Sequence, residues 1–218
     1  MSGMGLWSCW VGAVLAAEAI GIALAFGADQ LSARLLGLAT TLSDRLAEIG
    51  ISVGVGAVEG VVLGSLQALV LRAALRRFQA GRWVVLTAAA GGLCWLLGMI
   101  PQILFQSVRA EAAALEPQLD ILLAGATAMG LVLGVLIGLA QWLVLQRAVR
   151  RAWLWIPANA LGWGIAMGWV FYGAHRIDAE TPFATVVAVL AGCGALAGIS
   201  VGAVTGGSLI WLRSRPRA

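Results

Sequence analysis

The stretch GAVEGVVLGSLQALVLR, residues 56–72, decides the fold of this chain. Its glycines at positions 56, 60 and 64 fall on one side of a helix, because residues four apart lie one above the other. Gln67 and Arg72 follow them. The pattern lies inside a long apolar run, which is typical of a membrane-spanning helix. A stripe of glycines on such a helix lets a neighbouring backbone approach closely.

The same pattern occurs twice more, and only its hydrogen-bonding residue changes, from glutamine to threonine. The three copies are Gly56, Gly60, Gly64 and Gln67; Gly130, Gly134, Gly138 and Gln141; and Gly194, Gly198, Gly202 and Thr205. Arginine follows each copy. The odd-numbered spans repeat more loosely, with Trp83 matching Trp153 at an offset of 70. The pattern predicts an internal repeat with units at residues 1–77, 78–151 and 152–218.

Composition places the chain in a membrane. It has 218 residues, of which 61% are hydrophobic and 11% charged, which excludes an ordinary soluble domain. Six apolar segments predict spans at approximately 6–27, 50–71, 83–105, 121–145, 152–172 and 184–208. We therefore expect an all-α membrane protein, one integral membrane domain over 1–218. Its three two-helix repeats would be parallel, with the even-numbered spans innermost.

Charge predicts the orientation. The segments 72–82 and 146–152 and the C-terminal tail hold ten arginines and no acid, whereas the other connections hold eight acids and four arginines. Basic connections stay in the cytoplasm, so we expect both termini there. Arginine supplies every basic residue and lysine none, which favours a GC-rich bacterial genome and hence a bacterial cytoplasmic (inner) membrane. Seven tryptophans near this side predict an interfacial belt: Trp7, Trp10, Trp83, Trp142, Trp153, Trp155 and Trp211.

The connection between the first two spans has its own pattern. Leucine and isoleucine recur at spacings of three and four through residues 29–49, from Leu31 to Ile49. This periodicity predicts an amphipathic helix on the outer membrane surface or capping the bundle. A helix that binds a partner protein is the alternative.

Buried polar residues are the candidate functional groups. Gln67, Gln141 and Thr205 occupy one depth, with Asn159 near it, and polar groups in hydrocarbon need hydrogen-bond partners. They predict either interhelical hydrogen bonds or a polar path for a substrate. Glu18 and Glu59 lie on consecutive antiparallel spans at matched depth. Intramembrane acids indicate function by default, and we expect this pair to share a proton or a cation. The alternative is a protonated glutamate bonded to a backbone carbonyl or to a glutamine.

No catalytic or metal signature is present. The sequence contains neither H-E-x-x-H nor G-x-S-x-G, and Cys9, Cys94 and Cys193 lie far apart inside predicted spans. We therefore expect no enzyme, no cofactor, no metal site and no nucleic-acid partner. The expected partners are the lipid bilayer and other membrane-protein subunits.

The repeated pattern G-x-x-x-G-x-x-Q-W-x-x-L, seen from Gly134 to Leu145, resembles that of small uncharacterised multi-pass membrane proteins of bacteria. The resemblance covers the three hairpins, and it implies no activity and no catalytic residue. Two functions remain. One is a structural or accessory subunit that packs against other membrane proteins. The other is a small transporter or channel that uses Glu18, Glu59 and the layer of Gln67, Gln141 and Thr205.

Overall fold

A computed structural model describes residues 2–37, 41–75, 78–112, 118–178 and 180–214. Within these residues the protein is helical. Its helices are α1 Gly3–Leu36, α2 Leu42–Ala74, α3 Ala80–Ala112, α4 Leu119–Leu145, α5 Trp155–His175 and α6 Phe183–Arg213, with a short 3₁₀ helix, Ala152–Leu154, before α5. In the described residues six helices are long and apolar enough to cross a membrane. The prediction of an all-helical fold with six helices able to span a membrane is confirmed for these residues.

Helix boundaries follow from local capping. Ser2 is the N-cap residue of α1, and its side chain accepts a hydrogen bond from the Gly5 backbone N–H at 3.1 Å. Gly37 ends the same helix at φ 59°, a conformation that glycine adopts without steric cost. Thr41 and Asp44 form a capping box at the start of α2, in which each side chain accepts a hydrogen bond from the other's backbone N–H.

The separate amphipathic helix expected over 29–49 is not confirmed. Residues up to Leu36 continue α1, and residues from Leu42 onward begin α2. Leu38, which belongs to the predicted apolar face, lies outside the described residues. The leucine periodicity of this segment therefore falls at the ends of two long spanning helices, which share the 3.6-residue period of an amphipathic helix.

The six helices form a closed ring. Each one packs against the helix before it and the helix after it, and α6 closes the ring by packing against α1. The most extensive contacts are those of α4 with α5 and of α2 with α3. Two of the three predicted hairpin pairs, α1 with α2 and α3 with α4, make the least extensive contacts. The third predicted pair, α5 with α6, is about as closely packed as α6 with α1, so α6 packs on both of its neighbours to a similar extent.

The two ends of the ring differ in charge. At one end lie the start of α1, the α2–α3 and α4–α5 connections and the end of α6. We call this the arginine-rich end, because among the described residues it carries Arg72, Arg82, Arg147, Arg150, Arg151 and Arg213. Arg76, Arg77, Arg215 and Arg217 of the same predicted cluster lie outside the described residues. The other end, with the α1–α2, α3–α4 and α5–α6 connections, is called the opposite end below.

Candidate functional site

Three tryptophans of the odd-numbered helices fill the middle of the ring near its arginine-rich end. Trp10, Trp83 and Trp155 are completely buried. The ring centroid of Trp155 lies 5.6 Å from that of Trp10 and 6.1 Å from that of Trp83. Aromatic rings at these separations are in direct contact. These side chains therefore belong to the core, and the prediction of an interfacial belt is wrong for them, whereas Trp153 is 57% exposed.

Each of these indoles donates a hydrogen bond to the polar residue of one glycine-striped helix. The three bonds are Trp83 Nε1 to Gln67 Oε1 at 3.2 Å, Trp155 Nε1 to Gln141 Oε1 at 2.8 Å and Trp10 Nε1 to Thr205 Oγ1 at 2.8 Å. The sequence singled out the acceptors as needing partners but did not find the donors. The signal was present: a tryptophan lies near the start of each odd-numbered helix. Their predicted position near the cytoplasmic ends of the spans favoured an interfacial interpretation instead.

Further hydrogen bonds connect this layer across the ring. The Gln141 amide Nε2 donates to Gln67 Oε1 at 2.8 Å and to Thr87 Oγ1 at 3.2 Å, so it joins α4 to both α2 and α3. Thr87 Oγ1 and Asn159 Nδ2 each donate to the backbone carbonyl four residues earlier. We call this set the tryptophan–glutamine layer: Trp10, Trp83, Trp155, Gln67, Gln141, Thr205, Thr87 and Asn159. Every one of its side chains is buried, and every one has a hydrogen-bond partner.

The glycine stripes bring backbones together at three corresponding interfaces. A β-carbon added to Gly60 would lie 2.6 Å from Ala88 Cα, and one added to Gly134 would lie 2.7 Å from Ala160 Cα. One added to Gly198 would lie 3.0 Å from Leu15 Cα. Normal carbon contacts lie near 3.5–4.0 Å, so these positions have no room for a side chain. The contacts are with odd-numbered helices, so the even-numbered helices do not form an inner layer of their own.

The register of the three interfaces is the same. Ala88, Ala160 and Leu15 are each the fifth residue after the buried tryptophan of their helix. The other glycines of the stripes follow suit: Gly64, Gly138 and Gly202 face the first residue after it (Val84, Ile156 and Val11), and Gly56, Gly130 and Gly194 face the twelfth (Trp95, Met167 and Ile22). By these contacts Trp83 corresponds to Trp155, at an offset of 72. The offset of 70, which paired Trp83 with Trp153, is wrong.

A second polar level lies toward the opposite end. Glu18 is the eighth residue after Trp10, and Glu59 is the eighth residue before Gln67. At a rise of 1.5 Å per residue both lie about 12 Å from the tryptophan–glutamine layer. The carboxyl of Glu59 occupies the space above Gly21 of α1 and accepts a hydrogen bond from Trp95 Nε1 at 2.7 Å. Gly21 is the third residue after Glu18 on α1, so the Glu59 carboxyl lies within one helical turn of Glu18 along that helix.

Glu18 itself is only 8% exposed, and it packs beside Gly198 of α6, where an added β-carbon would lie 3.2 Å from its Cγ. No described residue donates a hydrogen bond to its carboxyl. Trp163, the eighth residue after Trp155, lies at the same depth on α5, and its buried indole N–H has no acceptor among the described residues. We call Glu18, Glu59, Trp95 and Trp163 the acid layer. Its Trp163 indole is the one fully buried side-chain N–H without an acceptor among the described residues.

The other candidate sites in the described part of the chain are an apolar groove and three cysteines. A groove of about 340 Å³ between α1 and α6 is lined only by apolar residues, among them Phe26 and Phe183. Within the described residues no three histidine, cysteine or acidic side chains are grouped to hold a metal ion. Cys9, Cys94 and Cys193 are free thiols. No protein-family model, curated protein or solved structure matches the chain.

Proposed function

We propose that this protein is a structural or accessory subunit of the membrane, a sealed six-helix unit that packs against other membrane proteins. The observation that carries the proposal is the tryptophan–glutamine layer. Its polar groups bond to one another, and its three indoles fill the space on the ring axis. A layer of this kind stabilises the bundle, because each of its three indoles bonds to a polar side chain of a neighbouring helix.

The same layer argues against the alternative, a transporter or channel along the axis. A polar path needs groups whose hydrogen-bonding capacity is open to the solute that passes. The Gln141 amide instead bonds three side chains of its own protein, and both it and Trp155 are inaccessible to solvent. Passage would require these hydrogen bonds to break and the indoles to move apart together.

The architecture is part of the proposal. We infer that the chain consists of three parallel repeats, because the glycine contacts and the indole hydrogen bonds recur in one register. The arginine-rich end faces the cytoplasm of a bacterium in this account, since basic connections remain on that side. We assign the chain no catalytic role and no cofactor. We also propose that the chain is related to the small bacterial multi-pass proteins that its repeated pattern resembles.

The outer surface supplies the means of association. Large apolar side chains are exposed on the outside of several helices, including Leu69, Val85 and Leu161, each more than half exposed. Lipid covers such a surface as readily as protein does, so association with another subunit depends on packing and shape. A stable partner would therefore cover a specific part of this surface.

Native mass spectrometry tests the proposal. The tagged protein is extracted from its own membrane in polymer-bounded lipid discs, without detergent, beside an unrelated tagged multi-pass protein of similar size as control. We expect the chain in a complex of fixed stoichiometry with another membrane protein that is absent from the control. Recovery of the chain alone, together with solute flux through proteoliposomes that contain it, would refute the structural role.

A further inference from the structure

The acid layer is not explained by the packing of the ring. The residues of α3 and α5 that correspond to Glu18, eight residues after the buried tryptophan, are Gly91 and Trp163. The residues that correspond to Glu59, one before the central glycine of each stripe, are Leu133 and Ala197. Glu59 therefore lies on the α2 side of the α2–α3 interface and Glu18 on the α1 side of the α6–α1 interface, whereas the α4–α5 interface packs without an acid at either position. Because intramembrane acids are costly and one interface packs without them, the two acids call for a role other than packing.

Glycines lie against both glutamates. Gly21 lacks a side chain where the Glu59 carboxyl lies, and its added β-carbon would collide with Glu59 Oε1. Gly198 lies against the Cβ and Cγ of Glu18, which an added β-carbon would approach to 3.3 and 3.2 Å. Gly21 and Glu18 lie one helical turn apart on α1, so Glu59 Oε1 is directed at the part of α1 that carries Glu18. Trp95 holds the other oxygen of Glu59.

The groups around the pair offer no positive charge. The helices packed here are α1 with Glu18, α2 with Glu59, α3 with the thiol of Cys94, which interacts electrostatically with Glu59, and α6 with Gly198. Among the described residues α4 and α5 present no ionisable side chain to either carboxyl. No residue in the described part of the chain donates a hydrogen bond to Glu18, which is only 8% exposed. Two carboxylates so placed repel each other in a medium of low dielectric constant.

We propose that Glu18 and Glu59 form a proton-binding site within the membrane, in which the two carboxyls hold one exchangeable proton between them. The proton removes one of the two charges and supplies the hydrogen-bond donor that Glu18 lacks. The site lies on the far side of the sealed tryptophan–glutamine layer from the arginine-rich end. It exchanges its proton with the opposite end, and it is a binding site rather than part of a path across the membrane. It does not depend on the identity of any partner subunit.

A hydrophobic carbodiimide tests the site, because this reagent reacts with protonated carboxyls. The carboxyl proton passes to one nitrogen of the carbodiimide, the carboxylate oxygen bonds to its central carbon, and the adduct rearranges to a stable N-acylurea without loss of atoms. The protein in lipid discs is treated with dicyclohexylcarbodiimide near neutral pH, and digestion with mass spectrometry locates the adduct. We expect it on Glu59, which is the more accessible of the two acids, and not on the exposed control Glu180.

The variant Glu18→Gln tests the sharing. Its amide N–H can donate to a Glu59 carboxylate and stabilise the ionised form, so labelling of Glu59 should fall about threefold or more. Labelling that is unchanged in this variant would show that the two acids act separately and would overturn the pair. If sodium ions at constant ionic strength protect Glu59 from labelling, the site binds a metal cation rather than a proton. That result would overturn the proton-binding site.

A measurement on the unaltered protein covers the case in which the variant does not fold or the reagent does not enter. Infrared spectroscopy detects the carbonyl stretch of a protonated carboxyl and its shift in heavy water. We expect this band in the wild-type protein at neutral pH, where exposed acids are ionised. The absence of both the band and the adduct would refute the site.

Discussion

The glycine stripe of α4 provides the sharpest test of the packing. In the variant Gly134→Ala the new methyl group would lie 2.5 Å from the Asn159 carbonyl oxygen and 2.7 Å from Ala160 Cα. Normal contact needs about 3.5 Å, so α4 and α5 must separate by about 1 Å. The atoms in the way are backbone atoms, which cannot rotate aside as a side chain can.

The expected cost follows from this displacement. Overpacking costs about 1–3 kcal/mol, and contact with backbone favours the upper part of that range. Alanine in place of glycine returns about 1 kcal/mol through its higher helix propensity. The net loss in the free energy of unfolding should therefore be about 2 kcal/mol. A larger residue, as in Gly134→Leu, should prevent assembly.

Gly125 on the same helix is the matched control, because nothing lies within 4 Å of a β-carbon added there. Gly125→Ala should leave stability unchanged or raise it by up to about 1 kcal/mol. Reversible unfolding in a titration with sodium dodecyl sulfate, followed by far-ultraviolet circular dichroism, measures both variants. Equal stability of the Gly134→Ala and Gly125→Ala proteins would refute the close approach of α4 and α5.

Three further predictions concern other parts of the chain. Gln141→Leu removes three hydrogen bonds and leaves the Trp155 indole N–H unpaired, so it should lower the free energy of unfolding by about 2–4 kcal/mol. The same change at Gln146, a half-buried residue whose amide makes one long, solvent-exposed hydrogen bond to the Leu143 carbonyl, should cost less than about 0.5 kcal/mol in the same titration. Arg151 adopts φ 56°, a left-handed conformation that glycine tolerates better than arginine. Arg151→Gly should therefore raise the free energy of unfolding by about 1 kcal/mol, and a lower free energy of unfolding would argue against the left-handed conformation. Reporter fusions after Arg150 and after Arg217 should both report the cytoplasm, and a periplasmic signal from either would contradict the proposed orientation.

Hydrophobicity made the spans predictable, because a helix that crosses a bilayer must be apolar over about 20 residues and satisfies its own backbone. The glycine spacing likewise singled out residues such as Gly60, at which helices approach closely in the structure. The glycine spacing does not identify which neighbouring helix packs against the stripe. The recurrence of the stripe on every even-numbered helix predicted contact between those helices, whereas the structure places α3 against the stripe of α2.

The tryptophans show a second limit. A tryptophan near the end of a span suits either the interface or the core, since its ring is apolar and its N–H is polar. Burial of Trp155 depends on the acceptor that Gln141 provides from another helix, and one sequence does not show that the two meet. Trp153, two residues away on the chain, is exposed. Trp153 lies in the short 3₁₀ helix and Trp155 at the start of α5, and the two side chains differ in whether they point out of the ring or into it.

The most direct test of the sealed centre is the exchange of indole N–H protons with water. In protein labelled with nitrogen-15 at tryptophan and held in lipid discs, nuclear magnetic resonance resolves the indole N–H signals, and tryptophan-to-phenylalanine variants assign them. After transfer to heavy water, the signals of Trp10, Trp83 and Trp155 should persist for hours, while that of the exposed Trp153 is lost at once. Loss of the three buried signals as fast as that of Trp153 would mean that water reaches the tryptophan–glutamine layer, and the account of a sealed structural subunit would be contradicted.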